Sequence, residues 1–243
     1  GASDFNVMQG DTLRDPKILQ GGNIAKFDCV IANPPFSLEN WGATEWSSDK
    51  YKRNIYGTPS DSCGDYAWIQ HMICSMVSGQ GRMAVVMPQG ILFRNQETEI
   101  RKQLVESDLI EAVVTLGDKL FYGTGLSPCF LIIRRMKPAH HFGRILMIDG
   151  SKILTQKRAQ NILEENDIDR LYSLYQNYSD EEDYSRIVTL QEIRDKEYNL
   201  SPNRYVVYHK EEIRPYAEVL AEFKHAYEEV KRLEEEFSLL INA

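Results

Sequence analysis

Residues 28–41 read DCVIANPPFSLENW, and their interpretation decides the fold. Residues 29–32 are apolar and β-prone, and they run straight into Asn33-Pro34-Pro35-Phe36. Two consecutive prolines donate no backbone N–H and hold φ at about −65°. A strand must therefore stop at Asn33. The amide of Asn33 and the ring of Phe36 then sit on a stiff, extended turn at the carboxyl end of a strand. In open α/β sheets that is where ligands bind.

Outward from this point the chain alternates. FDCVIA (27–32) has the continuous apolar pattern of a strand buried on both faces, and residues 4–9 read as a short strand and turn. DYAWIQHMICSMV (65–77) has a helical apolar face, and GRMAVVMP (81–88) is a strand stopped by Pro88. NQETEIRKQLVES (95–107) is an amphipathic helix with Asn95 as its expected N-cap. LIEAVVTL (109–116), SPCFLIIRR (127–135) and RILMIDG (144–150) are strands. This alternation predicts an α/β fold: a mostly parallel sheet with helices on both faces. Only about ten residues join the strands at 109–116 and 127–135, too few for a parallel crossover, so the later one is expected to be antiparallel. In the acidic segment 159–186, Tyr172, Tyr175 and Tyr178 suit a packed helix face.

The tail is regular. Ile213, Tyr216, Leu220, Phe223, Tyr227, Val230, Glu234, Phe237 and Ile241 step by three and four, a heptad seam broken only at Glu234, with Pro215 in the first turn. Such a stripe fits packing on its own domain or on a partner helix. The expected organisation is a partial catalytic domain over 1–150, an extension of it over 151–210, and a long, coiled-coil-like helix over 211–243.

Composition narrows the function. No apolar run approaches the roughly 20 residues of a membrane span, and GASDFNVMQG at the start has no signal-peptide pattern. Cys29, Cys63, Cys74 and Cys129 form no CxxC pair, and the five histidines form no HxxxH pair, so no metal site is expected. The cysteines read as buried, reduced thiols of a cytosolic (cytoplasmic) protein. The net charge is −8, but residues 1–163 hold 18 Lys and Arg against 16 Asp and Glu, while 164–243 hold 10 against 20. The region around Asn33 is thus mildly basic and compatible with a negatively charged partner.

An adenine exocyclic amine is a poor nucleophile because its lone pair is delocalised into the ring. Acceptors for its two protons let the nitrogen pyramidalise, and a stacking surface aims it at a methyl donor. The Asn33 side-chain oxygen and the Pro34 carbonyl are such acceptors, Phe36 is such a surface, and Pro35 keeps the turn rigid. A base in a duplex reaches such a pocket only by flipping out, at a cost of a few kcal/mol. The loop 37–64 carries Trp41, Trp46, Tyr51 and Tyr56 around Lys50, Lys52 and Arg53. These residues suit base stacking and phosphate contact, or alternatively packing of the loop onto its own domain.

Taken in order, QGDTL, NPPF, GDYAWIQHMI, GRMAVVMPQGILF, IRKQLVESDLIEAVVTL, LFYGTGLSPCFLII and YNLSPNRYV resemble the modification (M) subunit of type I restriction-modification systems, over roughly residues 6–207. The resemblance implies an S-adenosylmethionine-dependent, N6-adenine DNA methyltransferase with a Rossmann-like sheet. It implies catalytic roles for Asn33, Pro34, Pro35 and Phe36, and cofactor binding by Asp11. Its implied partners are double-stranded DNA with a flipped adenine, a specificity (S) subunit packed on the C-terminal helix, and a restriction (R) subunit. The chain departs from the family in lacking the strand and Gly-rich turn that precede Asp11. The expected sheet is therefore incomplete, with residues 29–32 at its edge and residues 1–20 displaced, disordered or paired with another chain, and this fragment alone is expected to be inactive. Two other readings stand: methylation of a protein glutamine or an RNA base, which also uses an Asn-Pro-Pro-aromatic turn, and a non-catalytic partner-binding fragment.

Overall fold

The computed structural model describes residues 5–121, 125–158, 160–209 and 215–241. The chain divides into two compact units, Gly1–Tyr208 and His209–Ala243.

The first unit is a six-stranded mixed sheet with helices packed against it. A small hairpin, β1 (Leu19–Gln20) and β2 (Asn23–Ile24), precedes it. Its turn is Gly21-Gly22, both at positive φ, the geometry two-residue hairpin loops need. The sheet strands are β3 (Cys29–Ala32), β4 (Arg82–Pro88), β5 (Ile110–Leu116), β6 (Pro128–Arg134), β7 (Arg144–Gly150) and β8 (Ser185–Thr189), in the spatial order β3-β4-β6-β5-β7-β8. β3 and β4 pair in parallel, as do β5 and β7, while β6 inserts antiparallel between β4 and β5, and β8 closes the far edge antiparallel to β7. Four of these six strands therefore point the same way. The short connection after β5 gives the expected reversal, and β6 fills the gap between two parallel pairs.

α2 (Asp65–Ser75), α3 (Thr98–Glu106) and α5 (Leu190–Asp195) cover one face, where Tyr66, Ile69, Ile73, Leu104 and Ile193 meet Met83, Val85, Val113 and Leu131. α4 (Glu165–Asn177) covers β5 and β7 on the other face through Leu174, Ala112, Val114, Leu146 and Ile148. The register of β5 slips between Ile110 and Ala112, which puts Ile110 in the first core and Ala112 in the second. α1 (Ala43–Ser47) is a single turn in the loop after β3.

Several sequence expectations are corrected. β3 lies at the sheet edge, as expected, yet it is not buried on both faces: Ile31 is 77% exposed and Cys29 is exposed, because among the described residues β3 has one neighbour and no helix over that face. Cys74 is only partly buried, whereas Cys63 and Cys129 are buried. Phe5–Gln9 form no strand, and Asp4 lies outside the described residues. Asn95 does not cap α3, which is entered through a 3-10 turn at Asn95–Glu97, with Glu97 at the cap position and its carboxylate drawn to Arg94. Of the three tyrosines, Tyr175 packs and donates to Glu111 (2.7 Å). Tyr178 follows the helix in a left-handed conformation, stacked on His141, and Tyr172 is exposed.

The second unit holds α6 (Tyr216–Ile241), preceded by Pro215. Its seam is open: Phe223 is 65% exposed, and Tyr216, Tyr227, Val230 and Phe237 are exposed too. Ile213 lies outside the described residues.

Candidate functional site

Asn33 sits immediately beyond the carboxyl end of β3. Its side chain is exposed, and among the described residues nothing hydrogen-bonds it, so both the amide oxygen and the amide nitrogen are open. Pro34 is buried and Pro35 exposed, which pins one ring of the turn into the fold. Phe36 is half-buried and meets Phe121 edge to face, with ring centroids 5.9 Å apart at 80°. Phe121 comes from the connection between β5 and β6, so a loop distant in sequence backs the aromatic ring. An edge-to-face contact covers at most one face of a ring, so at least one face of Phe36 is clear of Phe121.

The chain leaves the turn under constraint. Ser37 has φ of 50°, a left-handed conformation costly for a residue with a Cβ. Its N–H donates to Asp65 Oδ1 at 2.7 Å. Asp65 is fully buried in the first turn of α2, where the helix dipole favours a negative charge. Its Oδ2 accepts from Arg94 (2.5 Å) and from the Cys63 thiol (3.2 Å). Arg94 also donates to Glu97 at 2.9 Å. Burial pushes the Cys63 thiol up to about 11 and raises Glu97, the latter against the pull of Arg94. The Cys63, Asp65 and Glu97 donor atoms lie within 4.8 Å of one another, a spacing that could hold a cation. Here the Arg94 guanidinium bonds both carboxylates and supplies that positive charge.

Asp11 is exposed. One of its oxygens accepts from the N–H groups of Leu13 (3.0 Å) and Arg14 (2.9 Å), the geometry of a turn aspartate, and the other lies 3.6 Å from Arg14. Its neighbours Gly10 and Thr12 help line a cavity of about 190 Å³, with Pro16, Ile24 and Val30 on the far walls.

The loop that joins these pieces is packed, not splayed. Trp41 and Trp46 are buried against each other and against Leu13, and Trp41 donates to the Ser60 carbonyl. Gly64 permits this, because a Cβ there would lie 2.9 Å from the Trp41 ring. Arg53 is buried over Trp46, paired with both Asp49 oxygens, and donates to the carbonyls of Thr12 and Leu13. Domain packing therefore claims Trp41, Trp46 and Arg53. Of the residues considered for nucleic-acid contact, Lys50 and Lys52 are exposed, and Tyr51 and Tyr56 are partly buried.

Arg53 and Arg14, whose guanidinium reaches the Asn40 carbonyl, thus tie the Asp11 loop to the segment that follows the Asn33–Phe36 turn. Sequence reasoning overlooked Asp65, Arg94 and Phe121. Asp65 was legible only as the first residue of a helix, and nothing local marks it as the partner of Ser37, 28 residues away.

A family described as N-6 DNA Methylase matches residues 1–213. A type I restriction enzyme methylase subunit, MjaVII, from Methanocaldococcus jannaschii is 35% identical over 97% of this chain and 41% of its own length. The HindI methylase subunit from Haemophilus influenzae is 30% identical over 84% of this chain and 46% of its own. The crystal structure of a type I restriction-modification methyltransferase subunit from Streptococcus thermophilus superposes with a TM-score of 0.74 at 29% identity, covering 82% of this chain and 41% of that one. The chain spans about two fifths of the length of the first of these relatives.

Proposed function

The chain belongs to the N-6 DNA Methylase family, and from that premise we propose that it is the target-base half of a type I restriction-modification methylase subunit, acting on the N6 amine of adenine in DNA. The observation that carries this reading is the open Asn33 amide at the end of β3, fixed beside a braced Phe36. Asn33 Oδ1 and the Pro34 carbonyl accept the two amine protons, so the nitrogen lone pair leaves conjugation. Phe36 stacks on the flipped base, and base–aromatic stacking is worth about 1–3 kcal/mol. Pro35 and the Asp65-held Ser37 stop the turn from moving, so the geometry is set before the base arrives.

S-adenosylmethionine supplies the electrophilic methyl group when bound. Asp11 keeps carboxylate lone pairs available for the cofactor's adenine amine, beside the 190 Å³ cavity. The residues around that cavity are taken as one part of the cofactor site, and this chain as inactive alone. The exposed stripe of α6 is assigned to a helix of the specificity subunit, with a restriction subunit joining the complex, and Lys50 and Lys52 are the loop residues placed to meet DNA phosphates. Residues 1–150 and 151–210 act as one catalytic unit in this scheme, and 211–243 as the assembly arm. Among the described residues no helix is long and apolar enough to cross a membrane.

Calorimetry with S-adenosylmethionine tests the division of the cofactor site. Binding by a chain extended upstream, with none by this chain, supports it. Equal binding by both refutes the half-site account.

A further inference from the structure

We propose that Asp65 is a positioning residue for the methyl-acceptor site: held by Arg94, its carboxylate fixes the Ser37 amide and thereby sets where Asn33 and Phe36 stand. The inference rests on the catalytic assignment of that turn.

A buried carboxylate needs strong partners, and a charge-assisted hydrogen bond is about twice as strong as a neutral one. Asp65 has three donors: a backbone N–H on Oδ1, and a guanidinium and a thiol on Oδ2. It is 0% exposed, so water cannot take over either oxygen. Pro34 and Pro35 have no N–H, so between Asn33 and Ser37 only Phe36 offers another backbone donor, and the Ser37 amide is a main anchor for the far side of the turn. The left-handed φ of Ser37 is a strained state that persists only where surroundings over-determine it. Asp65 is that determinant. Arg94 follows β4, the strand beside β3, and its bond to Glu97 at the start of α3 fixes the guanidinium from behind. Three separate elements, α2, the segment after β4 and the entry to α3, are thus tied to the backbone that carries Asn33.

Asp65→Asn is the diagnostic change. The amide has the same shape but one acceptor, so it satisfies either Ser37 or Arg94 and presents N–H groups to the other. Ser37 amide hydrogen exchange is followed by NMR on this chain, and kcat and cofactor KM are measured on the full-length subunit in its assembled complex. In a variant whose Tm stays near wild type, Ser37 exchange is expected to accelerate by about tenfold to a hundredfold while amides of β5 are unchanged. kcat is expected to fall by at least about tenfold with KM for the cofactor within about twofold, because the defect lies in base placement. Asp65→Glu, which keeps two acceptors, is expected to recover part of both readouts. Unchanged Ser37 exchange in folded Asp65→Asn overturns the proposal, as does a loss of kcat matched by a uniform rise in exchange across the sheet. If Asp65→Asn does not fold, Arg94→Lys takes its place, with selective Ser37 exchange supporting the proposal and its absence overturning it. Absence of adenine methylation by the wild-type complex refutes the functional reading instead, and leaves the exchange result to judge Asp65 alone.

Discussion

Arg53 Nη2 donates to the Leu13 carbonyl at 2.6 Å, across 40 residues of chain. The same guanidinium holds both oxygens of Asp49 and stacks 4.5 Å over Trp46. One buried side chain therefore ties the Asp11 loop to the segment that follows Asn33–Phe36. Arg53→Ala removes the charge partner of Asp49, which is nearly as buried, and leaves it the backbone N–H of residue 53. Loss of about 3–5 kcal/mol in urea unfolding is expected. Arg53→Lys restores the charge but not the bidentate fork, so it is expected to recover only part.

Asn33 and Phe36 should separate function from stability. Asn33 is exposed and unbonded among the described residues, so Asn33→Ala is expected to change unfolding free energy by less than about 0.5 kcal/mol. Methyl transfer by the assembled enzyme is expected to vanish. Phe36→Ala loses the stacking surface and is expected to weaken capture of a flipped base by about 1–3 kcal/mol, while Phe36→Tyr keeps most of it.

His71 gives the chain a pH signature. Its Nδ1 faces Arg53 Nη1 at 3.2 Å, so the ring must stay neutral to accept there. Burial, reinforced by the Arg53 charge, lowers its pKa from 6.5 to about 4. Below pH 6.5 the unfolded chain takes up a proton that the folded chain refuses. Stability should therefore fall as pH drops from about 6.5 and level off below about 4, by an amount on the order of 3 kcal/mol. Urea unfolding of wild type and His71→Gln across this range checks the sign: the difference between the two curves should carry that slope, and parallel curves would contradict it.

Thiol labelling reads the sheet edge. Cys29 lies exposed on β3, while Cys63 and Cys129 are buried and burial raises both thiols, Cys63 to about 11. A maleimide at neutral pH is expected to modify Cys29 at least about tenfold faster than either, with Cys63 and Cys129 reacting only on unfolding.

What was legible in the sequence followed from local pattern. The apolar runs at 82–88, 110–116, 128–134 and 144–150 are strands, and the short link after β5 gave the reversal of β6. β8 was hidden because SRIVT has only three apolar or β-branched residues in a polar, acidic stretch. A signal was nonetheless present: Thr189 and Glu192 form a capping box that starts α5 directly after the strand. The motif Asn33–Phe36 was legible because prolines speak locally. Its support was not, since Asp65, Arg94 and Phe121 act through distances in space that no spacing in sequence records. The aromatic loop was ambiguous because Trp and Arg serve a core and a nucleic-acid surface with the same chemistry; burial assigns Trp41, Trp46 and Arg53 to the core.

The most direct measurement is nucleoside mass spectrometry of DNA treated with S-adenosylmethionine and the assembled subunit, wild type beside Asn33→Ala. The account predicts N6-methyldeoxyadenosine with the wild type and none with the variant. Methyl groups on cytosine, on RNA or on a protein glutamine, or undiminished adenine methylation by Asn33→Ala, would contradict it.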